Sequence, residues 1–194
     1  MIKMKLKKIN NLVMAALFSA LICLATLLIT VGSPIAGGYI NLGDCFVFST
    51  IIVLPMGYSM LAAGIGSALA DLISGHAIYS PASFVIKALM ALVAWLIYSD
   101  TKKKFALPEK SYSVSDKKKK ANSRKMLLLK IISSFTAEII MCAGYFAYEA
   151  LILGYGMGAV TNIPMNAIQA IAGMIFSVIL STAFEKSKII SKFR

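Results

Sequence analysis

Five ionisable side chains stand inside or at the edge of long apolar runs: Asp44, Asp71, Lys87, Glu138 and Glu149. Taking a charge out of water is costly, so such groups in a lipid-spanning segment pair with one another or line a path for a substrate or ion. Asp71 and Lys87 fall at similar depth in successive runs, which makes them a candidate structural ion pair, although either can instead reach a ligand. Asp44 opens the second run. A carboxylate there either caps the exposed helix N–H groups or faces a bound molecule.

Glu138, Tyr145 and Glu149 are separated by seven and four residues. At about 100° per residue these positions return nearly to one face, so the fifth run carries a polar stripe. Asn162, Asn166 and Gln169, followed by Gly173 and Ser177, mark another stripe on the sixth. A polar stripe on a membrane helix must face protein or water. Two facing stripes capped by polar loops predict an outward-opening pocket. Asn41, Asp44, Tyr79, Lys87, Tyr145, Glu149, Asn162, Asn166 and Gln169 are its candidate ligand contacts. Amide, phenol, carboxylate and possible ammonium groups suit a small polar heteroaromatic molecule. Interhelical hydrogen bonding with no ligand is the competing explanation.

Enzyme chemistry finds little support. The chain has no GxxxxGK[ST] phosphate loop, no HExxH and no GxSxG. His76 is the single histidine, placed in a loop as a solvent-facing or ligand-edge residue, and the residues around Ser67 do not form a nucleophile motif. Cys23, Cys45 and Cys142 lie in or beside apolar stretches without a CxxC or a Cys/His cluster, so they read as packing residues and not as a disulfide or metal set. No cofactor is expected.

The elements that position these groups are apolar runs. Residues 12–31 make the first; twenty residues at about 1.5 Å each match a hydrocarbon core about 30 Å thick. Helices are expected over about 12–31, 44–56, 58–74, 82–99, 126–153 and 163–184. The second is the shortest, broken by Pro55 and Gly57. Residues 100–125 are polar and Lys-rich, and predict a solvated linker. Lys130, at the start of the fifth run, is able to snorkel to the interface.

Composition agrees. The 194 residues are 59% hydrophobic and 14% charged, against roughly 45–50% and 25% in soluble domains. The net charge of +12 does not indicate nucleic acid, because of where it sits. Of 20 basic residues, four precede Leu12, eleven lie between Lys102 and Lys130, and four lie in the tail; the remaining one is Lys87. Basic segments between apolar runs obey the positive-inside rule, so the N-terminus, the linker and the tail are expected in the cytoplasm. Six crossings satisfy this, and leave loops 32–43, 74–80 and 154–162, which contain no Lys or Arg, outside. The expected architecture is an all-α membrane protein, a single six-helix domain over 1–194 with both termini inside. Small residues crowd the third run (Ala62, Ala63, Gly64, Gly66, Ser67, Ala68, Ala70), a pattern for close helix packing. Ala16 and Ala20 repeat the spacing on the first run, where intermolecular docking is also open.

Three segments carry a resemblance. Gly38-Tyr-Ile-Asn-Leu-Gly-Asp44, Gly64-Ile-Gly-Ser-Ala-Leu-Ala-Asp71 and Pro81-Ala-Ser-Phe-Val-Ile-Lys87 resemble the S components of energy-coupling factor (ECF) transporters, within the riboflavin-type group that includes presumed hydroxymethylpyrimidine and pyridoxine carriers. The second half is similar by pattern only. The resemblance implies a non-enzymatic subunit of a bacterial plasma membrane that captures a vitamin or precursor from outside. It also implies a transmembrane coupling subunit and two ATP-binding subunits as partners. In the family an AxxxA pattern on the first helix meets the coupling subunit, and Ala16-Leu-Phe-Ser-Ala20 matches it. A self-sufficient carrier using its carboxylates as proton relays is the alternative.

Overall fold

Pro55 divides what the sequence offers as one long apolar stretch, and the fold is organised around that break. The computed structural model describes residues 2–32, 39–105 and 116–186. Six α-helices account for most of them: α1 (Ile2–Leu28), α2 (Gly43–Val53), α3 (Met56–Ile73), α4 (Ser80–Phe105), α5 (Asp116–Ala147) and α6 (Ile163–Lys186). Five helical segments are long and apolar enough to cross a membrane, and α2 is shorter. The all-α architecture is as expected. It carries one small addition: β1 (Thr30–Gly32) and β2 (Tyr39–Asn41) form an antiparallel pair where a plain loop was expected.

Helix α2 spans 11 residues, of which nine are buried. A helix that is apolar on all sides belongs inside a bundle, and α2 packs against α1, α3, α4 and α6. Its chain leaves the helix at Leu54 in an extended conformation, and Pro55, still extended, immediately precedes α3. Proline is well suited to a helix start because it has no N–H to leave unsatisfied. The Leu54 carbonyl accepts from Trp95 Nε1 at 3.2 Å.

The small residues of α3 do bring helices together. A Cβ built on Gly66 would lie 2.5 Å from the Ser19 carbonyl oxygen of α1, and one on Gly64 would lie 2.9 Å from the Phe84 carbonyl oxygen of α4. Ala62, Ala63 and Ala70 are fully buried. Ala16 and Ala20, by contrast, are exposed on α1 beside the equally exposed Val13 and Leu17.

Several boundaries differ from expectation. Helix α1 begins ten residues before the apolar run, α4 continues to Phe105 and α5 starts at Asp116. The expected linker 100–125 is therefore largely helical where described. Its many lysines are good helix formers and need no apolar partner to extend an existing helix into water. Residues 106–115 of that linker, 33–38 of the first loop and the tail beyond 186 lie outside the described residues. Lys130 is buried and donates to Thr182 Oγ1 at 3.5 Å. Ser133, Ser134, Ser177 and Ser181 share its small cavity, so the protein itself gives this ammonium polar surroundings.

The end of α5 is not a simple stop. Residues Tyr148–Ile152 form a π turn and Gly156–Asn162 a 3₁₀ helix. Gly154 adopts φ +76°, a left-handed conformation open to glycine, and lets the Tyr155 N–H turn back to the Glu149 carbonyl at 3.0 Å. π turns are frequent at functional sites, and this one presents Glu149.

A polar cavity at the loop end of the bundle

The hairpin, the α3–α4 turn and the α5–α6 connection gather at one end of the bundle. Tyr148 OH donates to the Ile78 carbonyl, the rings of Tyr79 and Tyr148 lie 5.8 Å apart, and Tyr79 OH donates to Glu149 Oε1 at 3.4 Å. Burial and the neighbouring Glu149 carboxyl push the Tyr79 phenol pKa upward, so it stays a proton donor. Beneath these contacts lies a cavity of about 40 Å³ lined by Asn41, Asp71, Tyr79, Ser83, Tyr145, Glu149, Asn166 and Gln169.

Asn41 and Gln169 form the wall toward α2. The Asn41 backbone N–H and side-chain Nδ2 donate to Gln169 Oε1 at 3.0 and 3.2 Å. Asn41 Oδ1 accepts from the Gly43 N–H at 2.9 Å and from Thr26 Oγ1 of α1 at 3.4 Å. Asn41 thus satisfies the start of α2, one of the two roles open to Asp44. No side-chain hydrogen bond from the N-cap position, Leu42, is made.

Asp44 turns the other way. Its Oδ1 meets Lys87 Nζ at 2.5 Å and its Oδ2 accepts from Gln169 Nε2 at 2.8 Å. The Lys87 ammonium also lies 5.7 Å from the centre of the Tyr145 ring. The expected Asp71–Lys87 pair is therefore replaced by Asp44–Lys87. Depth along adjacent helices suggested the former, but Lys87 points toward α2, and Asp71 instead lines the cavity. Asp44 and Lys87 are 0% and 2% exposed and stand behind the lining. Both were expected to touch a ligand; in this structure Gln169 and Tyr145 come between.

Of the two polar stripes, Tyr145, Glu149, Asn166 and Gln169 line the cavity. Asn162 is buried beside Glu149. Glu138 is elsewhere: it faces an apolar groove between α5 and α6, near Gly173, with neither carboxyl oxygen hydrogen-bonded in the protein. Ser83 was missed by sequence reasoning. It shares a 2.7 Å hydrogen bond with Tyr145 OH. A signal existed, since Ser80, Ser83 and Lys87 recur at helical spacing on one face of α4. His76 stays out of the lining, with Nδ1 3.1 Å from Ser74 Oγ. No cluster of three or more His, Cys, Asp or Glu suited to a metal occurs among the described residues, and the three cysteines are free.

A multi-pass helical protein with a polar, uncharged-to-acidic cavity at one end has the construction of a membrane protein that holds a small molecule. The chain belongs to the ECF-type riboflavin transporter S component family, which it matches over residues 6–186. It is similar to the thiamine precursor transporter HmpT of Lactococcus lactis subsp. cremoris (strain MG1363), with 23% identity over 189 residues covering 97% of this chain and 95% of that one. A protein of Pyrococcus woesei described only as an uncharacterized protein in a gap 3′ region is 26% identical over 155 residues, covering 79% and 87%. This places the chain among vitamin-transport subunits, a family of membrane transporters and not of enzymes.

Proposed function

We propose that this chain captures a small heteroaromatic vitamin or precursor, of the hydroxymethylpyrimidine or pyridoxine type, from outside the cell and releases it inward through an ATP-driven coupling module. The observation that carries this reading is the cavity, where amide, phenol, hydroxyl and carboxyl groups from β2, α3, the α3–α4 turn, α4, α5, the π turn and α6 converge. Asn41, Tyr79, Tyr145, Glu149, Asn166 and Gln169 are the proposed ligand contacts, with Asn162 supporting Glu149. At about 40 Å³ the cavity holds only a water or two, whereas ligand sites run to about 300 Å³ and more. The reading therefore requires the roof formed by β2, Tyr79 and the α5–α6 connection to move outward when ligand enters. A riboflavin-sized ring system demands far more movement than a single pyrimidine or pyridine ring.

In this reading the chain crosses the bacterial plasma membrane six times with both termini and residues 100–125 inside, and α2 with Leu54–Pro55 makes the short crossing. Ala16 and Ala20 dock on the transmembrane coupling subunit, with two ATP-binding subunits beyond it. The exposure of both alanines supports a face left open for a helix. Titration of the purified chain with hydroxymethylpyrimidine, pyridoxine and riboflavin tests the capture step. Saturable binding of one of the two smaller molecules is expected, and binding of none would sink the reading.

One observation favours a second reading. Glu138 is buried in a membrane-crossing helix without a hydrogen bond, as a proton-carrying group in a self-sufficient carrier would be. Gradient-driven uptake in vesicles holding this chain alone would support it; uptake only with the coupling module supports the first.

A further inference from the structure

Among the described residues, carboxyl and neutral polar groups line the cavity, and no cation does. Its lining includes the carboxyl groups of Asp71 and Glu149 together with amides, a serine and two tyrosines, but no Lys, Arg or His. The described residues of the neighbouring loops, 39–43, 74–80 and 154–162, include no Lys or Arg, and His76 lies outside the lining. Lys87, behind the lining, is neutralised by Asp44 at 2.5 Å and shielded by Gln169 and Tyr145. Glu149 is 3% exposed, and its Oε2 has no hydrogen bond within the protein, so a ligand donor can meet it.

We propose that the cavity sorts ligands by charge: it takes a neutral or cationic ring bearing hydrogen-bond donors and refuses the phosphorylated or carboxylated form of the same ring. The inference rests on the capture reading above and deepens it. A phosphate monoester carries about −1.5 to −2 charges at neutral pH. In the cavity it would lose its hydration, find no counter-charge and face two carboxyl groups. Discrimination of this kind works by repelling the wrong molecule as much as by holding the right one.

Asp44 sets the rule without touching the ligand. Were it neutral, Lys87 would keep an unmatched charge one side chain behind the lining, and the cavity would repel an anion less strongly. Asp44 is thus a specificity-determining residue that acts through Lys87.

The experiment is calorimetric titration of the purified chain with two pairs of probes: hydroxymethylpyrimidine and its phosphate ester, and pyridoxine and pyridoxine 5′-phosphate. In the native chain the alcohol of at least one pair binds, and its ester binds about 100-fold more weakly or worse. Asp44→Asn narrows that gap by about tenfold, and Asp44→Asn combined with Lys87→Met, which removes both charges, restores it. The native comparison needs no variant, so a folding defect in either does not blunt the test. An ester that binds as tightly as its alcohol overturns the charge rule while leaving capture intact. Binding of neither member of either pair overturns the capture reading and this inference with it.

Discussion

Gln169 donates from Nε2 to Asp44 Oδ2 at 2.8 Å, and this one bond decides which way the amide faces. A carboxylate only accepts, so the amide nitrogen must turn to Asp44 and the oxygen to Asn41, where it accepts from backbone and side chain. Orientation thus passes from Lys87 to Asp44, Gln169 and Asn41, and on to Thr26 of α1. Gln169→Leu removes the acceptor of two Asn41 N–H groups and the donor to Asp44 Oδ2, at a cost of about 1–3 kcal/mol or more. Thermal unfolding should register that loss, and titration with whichever of hydroxymethylpyrimidine and pyridoxine binds the native chain should show weaker affinity. A variant unchanged in both would show that the bonds do not hold the cavity wall.

The buried ion pair gives a second expectation. Lys87→Met leaves Asp44 as an unmatched buried carboxylate and should destabilise by about 3–5 kcal/mol. Adding Asp44→Asn should recover most of the loss, because replacing a buried pair is far less costly than breaking it. A double-mutant cycle read by chemical denaturation in detergent measures the coupling. Additive single effects would mean that the two charges do not depend on each other.

Helix approach supplies the third. Any side chain at Gly66 collides with the Ser19 backbone and Ile22 of α1. Gly66→Val should therefore lower stability by about 1–3 kcal/mol or more by forcing α1 away from α3. Gly57 has nothing within 4 Å of an added Cβ, so Gly57→Ala serves as the control and should leave the melting temperature unchanged or slightly raised. Equal effects at the two positions would contradict close packing at Gly66.

The exposed alanines of α1 separate binding from transport. Ala16→Leu with Ala20→Leu adds bulk at two exposed positions, so ligand affinity should be retained. Uptake in cells that hold the full transporter should fall by about tenfold or more, since small residues are what allow close helix approach. Normal uptake by the double variant would remove α1 from the docking surface.

How much of this could be read from the sequence follows from what each signal encodes. A run of about 20 apolar residues reports its own length, so α1, α3, α4 and α6 were legible to within a turn at their apolar ends. The lysines of 116–125 report solvation but not conformation, and their helix was missed. The stripes of α5 and α6 were legible because helical spacing fixes which residues share a face, and four of the eight named there line the cavity. Partnership between helices was not legible. Asp71 and Asp44 stand at comparable depth, and only the rotation of α2 and α4 about their axes decides which meets Lys87. That rotation depends on packing at residues such as Val47, Phe48 and Met90, whose contacts no spacing rule reveals.

The joint at Leu54–Pro55 has one further consequence. The carbonyl exposed there is met by Trp95, the single tryptophan of the chain. The protein therefore carries its own optical reporter at the point where its shortest helix turns into the next. Excitation of one indole reads one joint, with no label attached and no second emitter of its kind to confuse the signal. If α2 shifts against α4 when the cavity fills, the colour of that emission will change with it.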